Sequence, residues 1–332
     1  MKLPTQIQLR EVGPRDGLQN EAKPVPTADK IGWIDQLAAA GHTYIEATSF
    51  VSPRWIPQLS DAAAVMSGIA RRPGVTYAAL VPNTKGLQYA LAAGIDEAAV
   101  FLSVSETHNR SNVNKSVAQT LPQLRAVAEG ALQAGRTVRG YISTVFGCPF
   151  EGPVSLSDVC RIIEAYLEMG VSEISLGDTI GVANPRQVET VLAYLLARYP
   201  ADVLALHFHN TRGMALANVL VSMEMGITRF DAAAGGLGGC PYAPGASGNL
   251  ASEDLVHCLH AMGVTTGVDL EQLLAAASYI QEKAGRPYPA SHMLASRLPA
   301  EPMPTVSTGS TLWSDSTVST GSTLSRGSTS EV

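Results

Sequence analysis

The chain has 332 residues, 45% of them hydrophobic and 16% charged, enough apolar material for one large α/β domain or two of ordinary size. A formal net charge of −6, with lysines and arginines scattered rather than clustered, argues against nucleic acid or an anionic lipid surface as a partner. No apolar run reaches the ~18–20 residues of a membrane span, and strand-like sequence starts by Gln6, so the expectation is a cytoplasmic protein without a leader or a membrane anchor.

From Gln6 to about Met262, short β-rich runs alternate with longer helical patterns. IQLREV comes first, followed by the amphipathic KIGWIDQLAAAG, the run YIEAT and the helical SDAAAVMSGIA. TYAAL and AAVFLSV lead to QTLPQLRAVAEGALQAG, and VRGYIST to SDVCRIIEAYLEMG. EISLGD precedes NPRQVETVLAYLLARYP, LALHFH precedes MALANVLVSMEMG, and RFDAAAG is the eighth run. Several helical segments end in glycine, as helix C-termini often do. Eight strand–helix units in about 260 residues have the size and rhythm of a (β/α)8 TIM barrel, and strict alternation predicts parallel strands. The rival, an open doubly wound sheet, lacks its usual G-x-G-x-x-G after the first strand.

One more helical segment, DLEQLLAAASYIQEKAG over 269–285, follows the eighth unit. Beyond it the composition turns to proline and then to serine, threonine and glycine, and VSTGSTL occurs twice, at 306–312 and 318–324. Such a tract has too little apolar surface to offset its conformational entropy. The expected organisation is a barrel domain over 1–298 and a disordered low-complexity tail over 299–332.

In a barrel of this kind, reacting groups come from the C-terminal ends of the strands and the loops after them. Strand one runs into GPRDGLQNE, which puts Arg15 and Asp16 just past its end, and strand two ends at Glu46, Ala47, Thr48 and Ser49. Strand six ends at Ser175, Gly177 and Asp178, and strand seven at His207 and His209. The strand period of two turns both histidines to one face, with Leu206 and Phe208 on the other. The plain reading of H-x-H is a pair of hydrogen-bonded strand histidines. With Asp16 arriving from a neighbouring strand, the same groups supply nitrogen and oxygen donors for a divalent cation with open positions. Asp16 has its own plain reading, a surface residue in a turn-like PRDG. Glu46 and Asp178 either pair with Arg15 or support a metal-bound histidine, and the supporting role is favoured.

After strand eight comes GGLGGCPYAPGASGN, residues 235–249, either a surface loop or a phosphate cradle that lacks the P-loop lysine. Its glycines and prolines suit a mobile lid with Cys240 near the tip, where a thiol could move a proton once the lid closes. The four cysteines, at 148, 160, 240 and 258, have neither C-x-x-C spacing nor disulfide-scaffold density. Cys160 and Cys258, inside helical patterns, are expected to be buried small hydrophobes.

In five stretches taken together, EVGPRDGLQNE, IEATSFVSP, GCPFEG, EISLGDTIG and GGLGGCPYAPGASGNLASEDL, the chain resembles the 3-hydroxy-3-methylglutaryl-CoA lyase family over residues 5–285. The resemblance implies an acyl-CoA thioester substrate in leucine catabolism and ketone-body formation, and a homo-oligomer, a dimer. It also implies a divalent cation, Mg²⁺ or Mn²⁺, held by Asp16, His207, His209 and Asn249. In that family's pattern Arg15 meets the thioester carbonyl and Cys240 transfers a proton. Ser49, Asn112 and Ser175 match positions that contact the acyl group, and Glu253 matches one that supports the metal site. Three features depart from the pattern: Asn210 stands where the lyases usually carry aspartate, SETHNRSNVN replaces a more lysine-rich segment, and the tail has no cysteine.

The implied chemistry is a retro-Claisen cleavage in which Asp16, His207 or a cation-held hydroxide is the first base. Arg15 would meet the developing oxyanion and Cys240 would protonate the enolate carbon. Three alternatives compete. A Claisen-condensing synthase of the isopropylmalate or citramalate type usually has a long C-terminal regulatory domain. A two-histidine, one-carboxylate iron oxygenase usually sits in a jelly roll, against the βα alternation here. A barrel reduced to a binding module would be expected to have lost site residues, and here they are all present.

Overall fold

The computed structural model describes residues 2–238, 248–285 and 290–291. Within them the strands are β1 (Gln8–Glu11), β2 (Tyr44–Ser49), β3 (Thr76–Leu80), β4 (Glu97–Ser103), β5 (Thr137–Ser143), β6 (Glu173–Asp178), β7 (Leu204–Phe208) and β8 (Arg229–Ala232). All neighbours pair in parallel in chain order, and the sheet closes where β1 meets β8, with Gln8 opposite Arg229 and Glu11 opposite Ala232. The expected (β/α)8 TIM barrel is therefore the fold.

Helices α1 (Thr27–Ala39), α2 (Ala62–Gly68), α3 (Thr84–Ala92), α4 (Glu106–Val113), α5 (Val117–Gln133), α6 (Leu156–Glu168), α7 (Pro185–Leu196), α8 (Ala215–Glu224) and α9 (Ser252–Ala261) intervene between or follow the strands, and α10 (Leu270–Ala284) packs on α1. Among the described residues no helix is long and apolar enough to cross a membrane. The predicted tail over 299–332 lies outside the described residues. Helices α3 and α4 fall in segments where no helical pattern was read. Both start from local caps: Asn83 Oδ1 accepts from Gly86 N at 2.9 Å, and Ser105 Oγ accepts from His108 N at 3.0 Å. The polar α4 is held further by Asn109, whose amide donates to Lys115 O and Thr120 Oγ1, and it ends at Asn114 in the left-handed region.

At the start of α5, Ser116 Oγ accepts from Gln119 N at 3.1 Å, while Gln119 Oε1 accepts from Ser116 N at 3.0 Å, a reciprocal capping box. Ser116→Ala should lower stability by about 1 kcal/mol, read as a shift of the urea midpoint at unchanged slope.

The two faces of the strands differ in kind. Leu204, Leu206 and Phe208 of β7, Ile174 and Leu176 of β6, and Val138 and Ile142 of β5 are buried in the main apolar cluster with the helices. Gly140 belongs to this outer face because a side chain there would run into the Tyr166 ring of α6. The alternate residues point inward and are largely polar. Arg139 on β5 reaches Glu173 on β6 (2.7 Å) and Asp231 on β8 (2.5 Å), and Glu173 also takes Arg10 of β1 at 2.6 Å. A small apolar patch of Leu80, Ala99 and Tyr141, with Val51 and Phe101 against it, lies apart from the main core. The barrel thus has an ion-paired floor, whereas branched apolar layers usually dominate such interiors.

Candidate active site

The sequence GPRDG forms a single π-helical turn, Gly13–Gly17, directly after β1. Arg15, Asp16 and Gly17 all direct their backbone N–H groups to Val12 O, at 3.2, 2.7 and 3.4 Å. Glycine is required at its ends by close approach: a Cβ on Gly13 would lie 2.6 Å from Glu11 Oε1, and one on Gly17 2.7 Å from Leu237 Cβ. The turn projects Arg15 and Asp16 into the barrel mouth. Asp16 is therefore not the surface turn residue of its plain reading.

Arg15 is buried, and three groups hold it. Its Nε and Nη2 donate to Glu46 Oε2 at 2.8 and 2.7 Å, its Nη1 to Asp16 Oδ1 at 2.6 Å, and its guanidinium carbon lies 5.3 Å from the centre of the Tyr141 ring. Tyr141 OH donates to the same Glu46 oxygen at 2.9 Å. Burial works against the arginine charge, but Glu46 and Asp16 outweigh it and raise the pKa. Burial alone would raise Asp16 as well; Arg15 foremost, then the two imidazoles, pull it down to about 2. Asp16 is therefore an ionised oxygen donor.

His207 lies near the end of β7 and His209 just past it, their ring centres 5.3 Å apart. His209 forms an antiparallel bridge with Asn249, flanked by Asn210 N donating to Gly248 O (2.9 Å) and Leu250 N donating to Phe208 O (3.0 Å). This zipper carries Asn249 into the site, where its Nδ2 donates to Asp16 Oδ2 at 2.7 Å and Leu237 O at 3.0 Å. One donor atom from each of Asp16, His207 and His209 falls within 4.8 Å of the others. Asn249 Oδ1 and His209 Nδ1 are buried beside them without a hydrogen-bond partner. Burial, then His207, lowers the His209 pKa to about 4, so that ring is neutral with a lone pair available. A carboxylate, a neutral imidazole and an orphaned amide oxygen together are the donor chemistry a hard or borderline divalent cation needs.

The remaining predicted site residues divide. Asn112, on α4, is exposed and lines a cavity of about 900 Å³ with Arg15, Asp16, His207, His209 and Tyr141. Ser49 is buried at the end of β2 and accepts from Val51 N at 3.2 Å. Ser175 is turned inward and donates to Asp231 Oδ2 at 2.9 Å. Asp178 accepts from Val182 N (2.9 Å) and Ala183 N (3.1 Å), shaping the loop after β6, while burial raises its pKa to about 6. Glu253 takes Gly235 N with both oxygens at 2.9 Å and so holds the root of the predicted lid. The ends of that loop come so close at Gly238 and Gly248 that a Cβ on Gly248 would overlap the Gly238 carbonyl. Cys240 lies outside the described residues. Cys160 is buried as expected; Cys258 is only half-buried, because its turn of α9 faces partly outward.

Four residues around the site, Tyr141, Glu11, Arg139 and Asp231, were not singled out in the sequence. Tyr141 joins the expected Glu46 in seating Arg15. Glu11 accepts from Gly13 N (2.8 Å), Ala234 N (3.0 Å) and Ser252 Oγ (2.6 Å), tying the PRDG turn to the lid root. Arg139 and Asp231 lie beneath the histidines, and His207 Nδ1 is 3.1 Å from Asp231 Oδ2. The available signal was a charged residue at an inward position of a strand, as in VRGYIS and RFDA.

The HMGL-like family model matches residues 6–280. Hydroxymethylglutaryl-CoA lyase of Bacillus subtilis is 58% identical over 293 residues, 88% of this chain and 98% of that protein. A crystal structure of the Bacillus subtilis HMG-CoA lyase superposes with a TM-score of 0.89 at 57% identity, covering 90% of this chain and all of that one. An HMG-CoA lyase from Acinetobacter baumannii in complex with coenzyme A and 3-methylmalate matches with a TM-score of 0.86 at 43% identity, over 92% of this chain and 100% of that one. On motifs, fold and likeness alike, the chain belongs to the HMGL-like family of hydroxymethylglutaryl-CoA lyases.

Proposed function

We propose that this chain is a carbon–carbon lyase that uses a divalent cation, Mg²⁺ or Mn²⁺, to cleave 3-hydroxy-3-methylglutaryl-CoA, or a close 3-alkyl relative, into acetyl-CoA and acetoacetate. The observation that carries this reading is the convergence of Asp16, His207 and His209 within 4.8 Å, beside a buried Arg15, at the base of a cavity of about 900 Å³. Asp16, His207, His209 and Asn249 would hold the cation, which supplies Lewis-acid charge that makes the substrate's hydroxyl easier to deprotonate, with Asp16 or His207 as the proposed acceptor of its proton. Arg15, fixed by Glu46 and Asp16, offers a permanent charge to the thioester oxygen as the C2–C3 bond breaks and its electron pair moves onto the enolate. Asn112 lines the channel along which a CoA thioester would lie. Ser49, at the end of β2, and Ser175, turned inward on β6, are proposed to contact the acyl group, as the matching family positions imply. Cys240 is proposed to return a proton to the enolate carbon, with Glu253 anchoring the loop that carries it and Asp178 shaping the neighbouring one. The barrel domain over 1–298 carries the whole reaction and the tail none of it, in a cytoplasmic dimer acting in leucine breakdown.

The test is product stoichiometry. 3-Hydroxy-3-methylglutaryl-CoA with Mg²⁺ should yield acetoacetate and acetyl-CoA in equal amounts, without release of free CoA thiol. Thiol release from acetyl-CoA that depends on an added keto acid, with the hydroxyglutaryl thioester left intact, would replace the lyase by the condensing synthase.

A further inference from the structure

We propose that Asp231 is a positioning residue for the cation site: it holds His207 as the Nδ1–H tautomer and thereby turns the Nε2 lone pair toward Asp16. Asp231 is the inward residue of β8, buried among donors from three other strands. Arg139 of β5 donates to its Oδ1 at 2.5 Å, while Ser175 of β6 donates to Oδ2 at 2.9 Å. The Nδ1 of His207, on β7, lies 3.1 Å from the same Oδ2. A guanidinium keeps its charge in proteins, and a carboxylate paired with one has no proton to give. The proton in the His207–Asp231 contact therefore belongs to the imidazole. With Nδ1 committed below, Nε2 is left facing the mouth, 3.9 Å from Asp16 Oδ2.

The two histidines are thus built differently. His209 Nδ1 is buried with no partner, so its ring has no comparable anchor. A histidine that ligates a metal gains from a carboxylate on its other nitrogen because the partner fixes both tautomer and ring direction. Here that carboxylate is itself locked by Arg139 and Ser175, so the aim of His207 is set by the barrel floor. Ser175 acquires a purpose from the same arrangement: it completes the hydrogen bonds of Asp231.

The experiment has two arms. In the first, the full-length wild-type protein, labelled with ¹⁵N-histidine and freed of cations, is studied by long-range ¹H–¹⁵N NMR at alkaline pH, where the ring is neutral. His207 is assigned by its disappearance in His207→Gln. The Nδ1–H pattern is expected, and an Nε2–H or mixed pattern would overturn the proposal. In the second, Asp231→Asn, whose amide can donate to Nδ1 and favour the opposite tautomer, is titrated with Mn²⁺ by EPR. Its affinity should fall by about 10- to 100-fold relative to wild type. Unchanged affinity in a folded variant would also overturn the proposal, and if Asp231→Asn does not fold, the first arm decides alone. The second arm rests on the cation reading above: wild-type protein that binds no Mn²⁺ refutes that reading, while the tautomer still stands or falls by NMR.

Discussion

Replacing either His207 or His209 with alanine should reduce turnover by ~10³-fold or more, together with a large loss of Mn²⁺ affinity. A cation's contribution to a developing negative charge is worth several kcal/mol, and each 1.36 kcal/mol is tenfold in rate. Two ligands of a three-residue cluster cannot be spared, because the donors of Asp16, His207 and His209 converge within 4.8 Å and Asn249 adds only a neutral amide oxygen. The depressed pKa of His209, about 4, means that near neutrality no proton must be displaced there before a cation can bind. The measurement is paired: Mn²⁺ titration of each variant, and turnover at saturating Mg²⁺. Variants that bind Mn²⁺ as tightly as wild type would show that the histidines are the hydrogen-bonded strand pair of their plain reading.

The histidine pair was legible because a strand has a rigid period of two, so H-x-H fixes a common face whatever the tertiary context. Most of the strands were legible for a related reason: their outward faces carry apolar residues at alternate positions, such as Ile174 with Leu176, that must meet a helix. Helix α4 was not, since ETHNRSNV has no apolar stripe and depends on Ser105, Asn109 and Asn114 for its ends and its docking. The floor of the barrel was hidden for another reason. Arg139 and Asp231 are 92 residues apart, and only closure of β8 onto β1 brings them across the interior from each other. Glu46 was expected to support a metal-bound histidine rather than to pair with Arg15; the geometry instead puts its Oε2 on the Arg15 guanidinium. Ser175 matched a family motif by position, yet its hydroxyl is directed to Asp231, an orientation no motif encodes.

Arg15→Lys should lower kcat by about 10²- to 10³-fold with a far smaller change in KM, the scale seen when one oxyanion donor is removed. Lysine keeps the charge but lacks the planar fork that lets Arg15 hold Glu46 through Nε and Nη2 and Asp16 through Nη1 at once. Arg15→Met goes further, because it strips Glu46, fully buried, of its hydrogen-bonded counter-charge and leaves the Tyr141 hydroxyl as its one hydrogen-bond donor among the described residues, with Arg139 the remaining nearby cation. Breaking a buried pair in this way costs about 3–5 kcal/mol of stability, read as a fall in the urea midpoint. Adding Glu46→Gln to Arg15→Met removes the stranded charge and should recover most of that loss. Turnover should not recover with it, because the charge that meets the thioester oxygen is still absent. A double variant that regained both would mean that Arg15 serves only to neutralise Glu46, and the oxyanion role would then pass to another group at the mouth.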